Sequence, residues 1–162
     1  MVLDGDREVS FSFAEMLNYH GGGSPGGVAH AFKVLERALP LLDGNRRVQR
    51  RSIEIETAFA GPGARDGFEL VTRAVTERRF AVHPELTRPE RGRACERFVF
   101  RLRSGGRAVT VALRPGYVTE EFIDLTRGED RTAPEERRLT AMKAEMAARV
   151  MGAPAAEVYE VV

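Results

Sequence analysis

The sequence predicts a single α+β domain, residues 1–162, built from a mixed or antiparallel sheet with helices on one face. Apolar residues recur at spacings of three and four over 28–42 and 139–150, which is typical of amphipathic helices. Apolar and polar residues alternate over 53–59 and 98–113, as they do in strands with one buried face. The length of 162 residues suits one domain, and no long linker divides the chain.

Composition excludes several classes of function. The 25 basic residues nearly cancel the 24 acidic ones, so the chain has no overall field that would hold nucleic acid or an anionic membrane. Cys95 is the one cysteine, which rules out an intrachain disulfide and fits a reducing compartment. The N-terminus lacks the pattern of a signal peptide, and no apolar run has membrane-spanning length. We expect a cytoplasmic protein without nucleic-acid or membrane partners.

Local signals place the helices. Ser12 and Glu15 form a capping-box pattern, which predicts a helix from Phe13 to about Tyr19. Ser24-Pro25 resembles an N-cap followed by a first-turn proline, and predicts a second helix that ends near Asp43-Gly44. A third helix around Phe68 is expected to follow a loop of sequence AGPGARDG. Later helices are predicted after Thr119, and after Thr132 with Glu135, the last one stopping at Gly152.

Strands are predicted between these helices. The alternation after Arg51 predicts a strand that ends near Phe59, and a short strand is expected at Arg79–His83. A hairpin is predicted over 98–113, with its turn at Ser104-Gly105-Gly106. The last ten residues are expected to form a short tail. Valine and threonine beside arginine on the exposed face of the hairpin suggest pairing across a two-fold axis, hence a homodimer.

The first candidate site is the glycine-rich stretch from Tyr19 to Gly27. Glycine backbone that leads into a helix exposes N–H groups beside the positive end of the helix dipole, which suits a phosphate or carboxylate. His20 adds an imidazole that can transfer protons or ligate a metal. The alternative is a tight turn between helices in which the glycines only avoid steric conflict. The candidate ligand-binding residues here are Tyr19, Gly22, Gly23 and Ser24.

The second candidate site runs from Glu56 to Asp66, where a strand ends in a Gly-Pro-Gly loop. Gly63 and Arg65 are candidate substrate-binding residues, since an arginine can hold a carboxylate through two hydrogen bonds. Asp66 is a candidate catalytic carboxylate or metal ligand, and Glu56 a candidate partner for it. The alternative for Asp66 is an N-cap of the following helix.

These residues resemble a known family, the formylmethanofuran dehydrogenase E-subunit family. Its pattern Phe-His-Gly-His-x-Cys-Pro-Gly corresponds to residues 19–26, and its pattern Glu-x-x-x-Cys-x-x-Asp to the segment from Glu56 to Asp66. The resemblance spans residues 11–161. It implies an α+β fold like the catalytic-half domain of glyceraldehyde-phosphate dehydrogenase, a homodimer, and a metal site supplied by histidine and cysteine.

The chain departs from the family at the metal site. The second histidine of the family falls on Gly22, its first cysteine on Ser24 and its second cysteine near Gly63, so the ligands that suit zinc are missing. His20 and Asp66 remain. We expect that the metal site is absent or degraded and that no cofactor is required, with a divalent metal such as zinc on His20 and Asp66 left as an option.

The function expected from the sequence is that of a small-molecule enzyme or ligand-binding protein. Its pocket would lie between the His20 loop and the Glu56–Asp66 loop, and its ligand would be anionic. His20 would be the general acid/base, with Asp66 or Glu56 orienting it. The alternative is a non-catalytic metal-binding or accessory protein of the same family. A third interpretation is a structural interaction module, whose two loops would pack together without a cavity.

Overall fold

The computed structural model describes residues 1–44 and 47–162, which form six helices, a five-stranded sheet and a two-stranded sheet. The strands are β1 (Val2–Asp4), β2 (Arg7–Val9), β3 (Glu54–Thr57), β4 (Phe80–Val82), β5 (Val99–Ser104), β6 (Arg107–Leu113) and β7 (Tyr159–Val161). The helices are α1 (Phe13–His20), α2 (Pro25–Asp43), α3 (Pro62–Thr72), α4 (Glu120–Arg127), α5 (Ala133–Met151) and α6 (Ala155–Val158). The expected α+β class is confirmed.

The larger sheet is mixed, in the order β4-β3-β5-β6-β7. Strands β3 and β4 are parallel, with Ile55 opposite Phe80, and the other neighbours are antiparallel. β1 and β2 form a separate antiparallel hairpin. The chain reaches β4 from β3 through α3, because parallel neighbours need a crossover that runs back along the sheet.

Helix α2 lies at the centre of the core. It packs against α3 and α5 and against one face of β5, β6 and β7. That sheet face carries Ile55, Phe100, Leu102 and Val111, all fully buried. Because successive strand residues point to opposite faces, the opposite face carries the charged members of the same strands. The largest fully buried side chain, Tyr159, comes from β7.

Several local expectations are confirmed. Ser12 and Thr132 each form a full capping box, and the Thr119 hydroxyl accepts a hydrogen bond from the Phe122 N–H. The hairpin turns at Gly105-Gly106, where both residues have positive φ, the requirement of a two-residue turn between twisted strands.

Four expectations need correction. Helix α3 begins at Pro62, so most of AGPGARDG is helical rather than a loop, and Asp66 lies inside the helix instead of capping it. Ser24 precedes α2 but makes no side-chain cap hydrogen bond, because its backbone is not extended as a capping residue requires. The strand after Arg51 is shorter than expected, since 50–52 form a 3₁₀ turn. The tail is helix α6 followed by strand β7.

The exposed face of the hairpin also differs from the expectation. Val109 and Val111 point into the core, because they lie on the same face as Leu102. The face that was expected to pair with a second copy therefore carries the partly exposed Arg101, Arg103 and Thr110, while its valine in the hairpin, Val99, is fully buried. A homodimer stays a prediction from the family resemblance alone.

Candidate functional site

The structure brings His20 and Asp66 together although 46 residues separate them in the chain. His20 is the last residue of α1, and Asp66 lies in the second turn of α3. The Nδ1 atom of His20 is 2.8 Å from Oδ2 of Asp66. A carboxylate at this position accepts the Nδ1 proton, which leaves Nε2 as the basic nitrogen of the neutral ring. A carboxylate also orients imidazole in this way in many acid/base sites.

The other ring nitrogen of His20 is enclosed. The His20 side chain is 8% exposed, and its Nε2 is buried without a hydrogen-bond partner among the described residues. A Cβ added at Gly23 would lie 4.0 Å from this Nε2. Gly21 and Gly22 both have φ of +82°, a conformation that side-chain-bearing residues rarely adopt. The glycines therefore allow a tight turn directly after the histidine.

Three further candidates lie outside this pair. Arg65 has a side chain 55% exposed and reaches Oδ1 of Asp66 at 3.5 Å, while Tyr19 is 48% exposed at the surface. Glu56 lies on the opposite sheet face from the buried Thr57, bound to Arg101 at 3.3 Å and Arg103 at 3.1 Å. Because α3 packs with α1 and α2 on the inner side, the structure does not bring Glu56 to His20.

The two glycine-rich loops meet where α2 and α3 begin. A Cβ on Gly63 would lie 2.3 Å from the Ser24 carbonyl oxygen and 3.0 Å from the Val28 nitrogen. A Cβ on Gly27 would lie 3.0 Å from the Ala64 nitrogen. Glycine is required at these positions because the two helix N-termini touch through their backbones. This contact supports the steric interpretation of part of the glycine pattern.

A cleft of about 500 Å³ opens beside this junction. The first turns of both helices line it through Ser24, Gly26, Gly27, Pro62 and Gly63. Helices α4 and α5 form the facing wall, with Phe122 and Leu139. His20, Asp66, Tyr19, Gly22, Gly23 and Arg65 are outside the lining. The loops thus pack closed against each other, and the cavity lies to one side of them.

The charged side chains that line the cleft are all positive. Its lining includes five cationic side chains, Arg93, Arg97, Arg127, Arg131 and Lys143, and no acidic residue from the described part of the chain. The whole chain has nearly equal numbers of basic and acidic residues, so this clustering is a property of the site. A second cleft, of about 350 Å³, carries Glu36 and Asp43 against Arg47 and shows no such bias.

Neighbouring carboxylates balance three of these five cations. Arg93 pairs with Asp124 and, at 3.5 Å, with Glu120. Arg127 pairs with Glu96 at 3.3 Å. Arg131 pairs with Glu136 at 2.6 Å.

The other two cations have no carboxylate partner in the described ranges. Arg97 makes no ion pair there, and the Lys143 ammonium donates to the Gly23 carbonyl oxygen at 3.2 Å. Lys143 therefore joins α5 to the glycine turn that follows His20. The charges of Arg97 and Lys143 remain free to meet an anion.

The floor of the cleft is apolar. The rings of Phe59 and Phe98 stack with their centroids 4.3 Å apart and both face the cavity. Ile123 and Met146 extend the apolar lining. Binding sites for organic molecules commonly combine an apolar, aromatic lining with a few charged groups.

A buried polar pair lies behind this floor. His30 of α2 is fully buried, its ring centroid is 4.7 Å from that of Phe98, and its Nδ1 is 2.7 Å from the Tyr159 hydroxyl. Burial lowers the pKa of His30 to about 3 and raises the pKa of Tyr159 well above its usual range. Both groups are therefore neutral near pH 7, and the pair ties α2 to the sheet.

Metal ligation has little support in this geometry. Within 1–44 and 47–162, no three side chains of histidine, cysteine, aspartate or glutamate lie close enough to hold one ion. His20 and Asp66 supply two donors, fewer than a structural zinc site uses. Cys95 is buried elsewhere, its Sγ 3.8 Å from the Arg114 carbonyl oxygen, and burial raises the pKa of its thiol.

The cationic residues of the cleft were not among the sequence candidates. Arg93 lies between the short strand expected at Arg79–His83 and the hairpin predicted over 98–113, and Arg127 and Arg131 shortly precede the helix predicted after Thr132. The available signal is the excess of arginine around Arg93 and Arg97. Only the tertiary fold shows that these segments and Lys143 face one cavity.

Comparison with models of protein families gives no match, and no curated protein matches the chain. The resemblance to the formylmethanofuran dehydrogenase E-subunit family therefore remains a prediction from the sequence. Among the helices in the described parts of the chain, none combines the length and apolar character needed to cross a membrane.

Proposed function

We propose that this protein binds a small organic anion in the cleft between the α2–α3 junction and the α4–α5 wall. The observation that carries the proposal is the lining, which has five cationic side chains, no acidic residue from the described ranges, and an aromatic floor. The cations would hold the charged group of the ligand and the floor would cover its apolar part. The volume of about 500 Å³ suits a molecule of metabolite size.

Arg97 provides the direct test, because its guanidinium carries no ion pair within the described residues. In Arg97→Gln, we expect benzoate to bind about tenfold more weakly or worse, since a hydrogen bond to a charged group contributes about 1.5 kcal/mol or more. Affinity is measured by titration with NMR detection of the Gly26, Gly27 and Gly63 amides. Benzyl alcohol, which has the ring without the charge, should bind more weakly to both proteins.

Arg137→Gln is the matched control. Arg137 is exposed on α5 outside the cleft and makes no ion pair among the described residues, so its loss should leave benzoate affinity unchanged. Equal weakening in both variants would mean that only the net charge matters. No benzoate-dependent shift of the cleft amides at millimolar concentration would contradict the proposed function.

A second candidate function is catalysis with His20 as general acid/base. It is favoured by the 2.8 Å contact between His20 and Asp66, which leaves the basic Nε2 of a neutral ring without a protein partner in the described ranges. Nε2 is buried, so a substrate would reach it only when the residues that cover it move. The Lys143 contact with Gly23 connects the glycine turn after His20 to the anion cleft.

His20→Asn tests this candidate. We expect the variant to keep its melting temperature and its benzoate affinity within about twofold, but to lose turnover, because Asn cannot transfer a proton at this position. Turnover is followed by mass spectrometry of a mixture of carboxylates and phosphate esters incubated with wild-type protein and variant. If the wild type converts none of them, or the variant converts them equally well, catalysis by His20 is wrong while anion binding stands.

A further inference from the structure

We infer that the ligand of the cleft is a phosphate monoester with an apolar body, in preference to a carboxylate. This inference rests on the proposed function and specifies its ligand. It follows from three features that act at the same place: the number of positive charges that lack a carboxylate partner, the two helix N-termini, and the aromatic floor.

The charge balance favours a ligand with two negative charges. Of the five cations in the lining, Arg93, Arg127 and Arg131 have carboxylate partners. Arg97 and Lys143 have none within 1–44 and 47–162. A carboxylate would neutralise one of the two and leave the other unbalanced. A phosphate monoester carries close to two negative charges at pH 7 and matches both.

The helix N-termini add donors that suit a phosphate group. Helices α2 and α3 have 19 and 11 residues, begin at the same junction, and neither has a side-chain cap. The first N–H groups of a helix have no partner within it, and the N-terminus of each helix carries about half a positive charge. Gly26, Gly27 and Gly63 line the cleft, so the first turns of both helices border it. A tetrahedral phosphate can accept hydrogen bonds from two helix N-termini, whereas a carboxylate is planar.

The aromatic floor indicates that the phosphate is attached to an apolar group. Phe59 and Phe98 stack at 4.3 Å and line the cleft together with Phe122. Inorganic phosphate would fill only a small part of a cavity of about 500 Å³ and leave these rings facing water. An ester with an aromatic or branched aliphatic body would cover the rings as well.

The test compares phenyl phosphate, benzoate and inorganic phosphate on the wild-type protein by NMR titration at pH 7.5. We expect phenyl phosphate to bind at least about tenfold more tightly than either of the others, which corresponds to 1.4 kcal/mol. The Gly26, Gly27 and Gly63 amides should show the largest shifts. Lowering the pH to 5.5 should weaken phenyl phosphate, because its second ionisation lies near pH 6, and leave benzoate little changed.

Variants separate the phosphate preference from anion binding as such. Arg97→Gln and Lys143→Gln should each remove most of the difference between phenyl phosphate and benzoate, while Arg137→Gln keeps it. Equal affinity of wild-type protein for phenyl phosphate and benzoate would overturn the phosphate assignment and leave the organic-anion proposal intact. Equal affinity for phenyl phosphate and inorganic phosphate would overturn the apolar body. No binding of any of the three would overturn the proposed function itself.

Discussion

His30 shows how one buried side chain links the functional cleft to the stability of the protein. Its ring packs against Phe98 of the cleft floor and bonds to Tyr159 of the last strand. Burial lowers the pKa of His30 from 6.5 to about 3, so the folded protein keeps the ring neutral through the whole mildly acidic range. The unfolded chain takes up a proton on this histidine below about pH 6.5.

This difference between the folded and unfolded states of His30 predicts how the stability of the protein changes with pH. Between pH 6.5 and about 3 the unfolded state binds one more proton than the folded state at His30, so stability falls as pH falls. From pH 7 to pH 5, the contribution of His30 to the free energy of unfolding should drop by roughly 2 kcal/mol, at about 1.4 kcal/mol per pH unit below 6.5. Above pH 6.5 it should be constant.

His30→Gln isolates this contribution, since glutamine can still bond to Tyr159 but does not titrate. The drop in unfolding free energy between pH 7 and pH 5, measured in urea, should be smaller in the variant by that amount. All other ionisable groups are the same in both proteins, so their contributions cancel in the comparison. An equal drop in both, or His30 ring signals that shift between pH 7 and pH 5 in folded wild type, would contradict the prediction.

At the scale of elements, signals that act within a few residues were predictable from the sequence. The capping boxes at Ser12 and Thr132, the cap at Thr119 and the turn at Gly105-Gly106 depend on hydrogen bonds and dihedral angles of neighbouring residues. The start of α3 was not predictable in this way. Gly61-Pro62-Gly63 has the composition of a loop, but Pro62 suits the first turn of a helix.

The reason for Gly63 lies outside its own helix. Its missing Cβ leaves space for the Ser24 carbonyl oxygen, which belongs to a segment 39 residues earlier in the chain. A contact between residues so far apart in the chain leaves no local sequence pattern, so the sequence alone does not show why residue 63 must be glycine. Because of this contact the two loops leave no space between them, and the cleft lies beside them.

At the scale of the whole molecule, the cleft depends on residues that are far apart in the chain. His20 and Asp66, two of the candidate residues from the sequence, lie in contact although they are 46 residues apart. Arg97, Arg131 and Lys143 come from three separate segments, and no spacing rule relates them. The sequence shows the excess of arginine around Arg93 and Arg97, but not that Arg131 and Lys143 face the same cavity.

Deletion of the last strand, β7, tests whether the C-terminal residues are needed for the stability of the fold. Deleting residues 158–162 removes Val158 and Tyr159, both fully buried, and exposes the edge of β6. Each buried side chain contributes about 1.5–3 kcal/mol, and the loss of the His30 partner and of the strand pairing adds to this. Because the total stability of a domain is about 5–15 kcal/mol, we expect the shortened protein to show no cooperative unfolding transition in urea.

Deletion of Val162 alone is the control for that experiment. Val162 is 45% exposed, and its N–H donates to the Thr110 carbonyl oxygen at 3.0 Å. Its loss should cost about 1 kcal/mol and keep a single cooperative transition, followed by far-UV circular dichroism. If the 158–162 deletion unfolds at the same urea concentration as wild type, then β7 and the His30–Tyr159 pair do not hold α2 on the sheet. In that case the floor of the anion cleft must be supported by the Phe59–Phe98 stack and the helices alone.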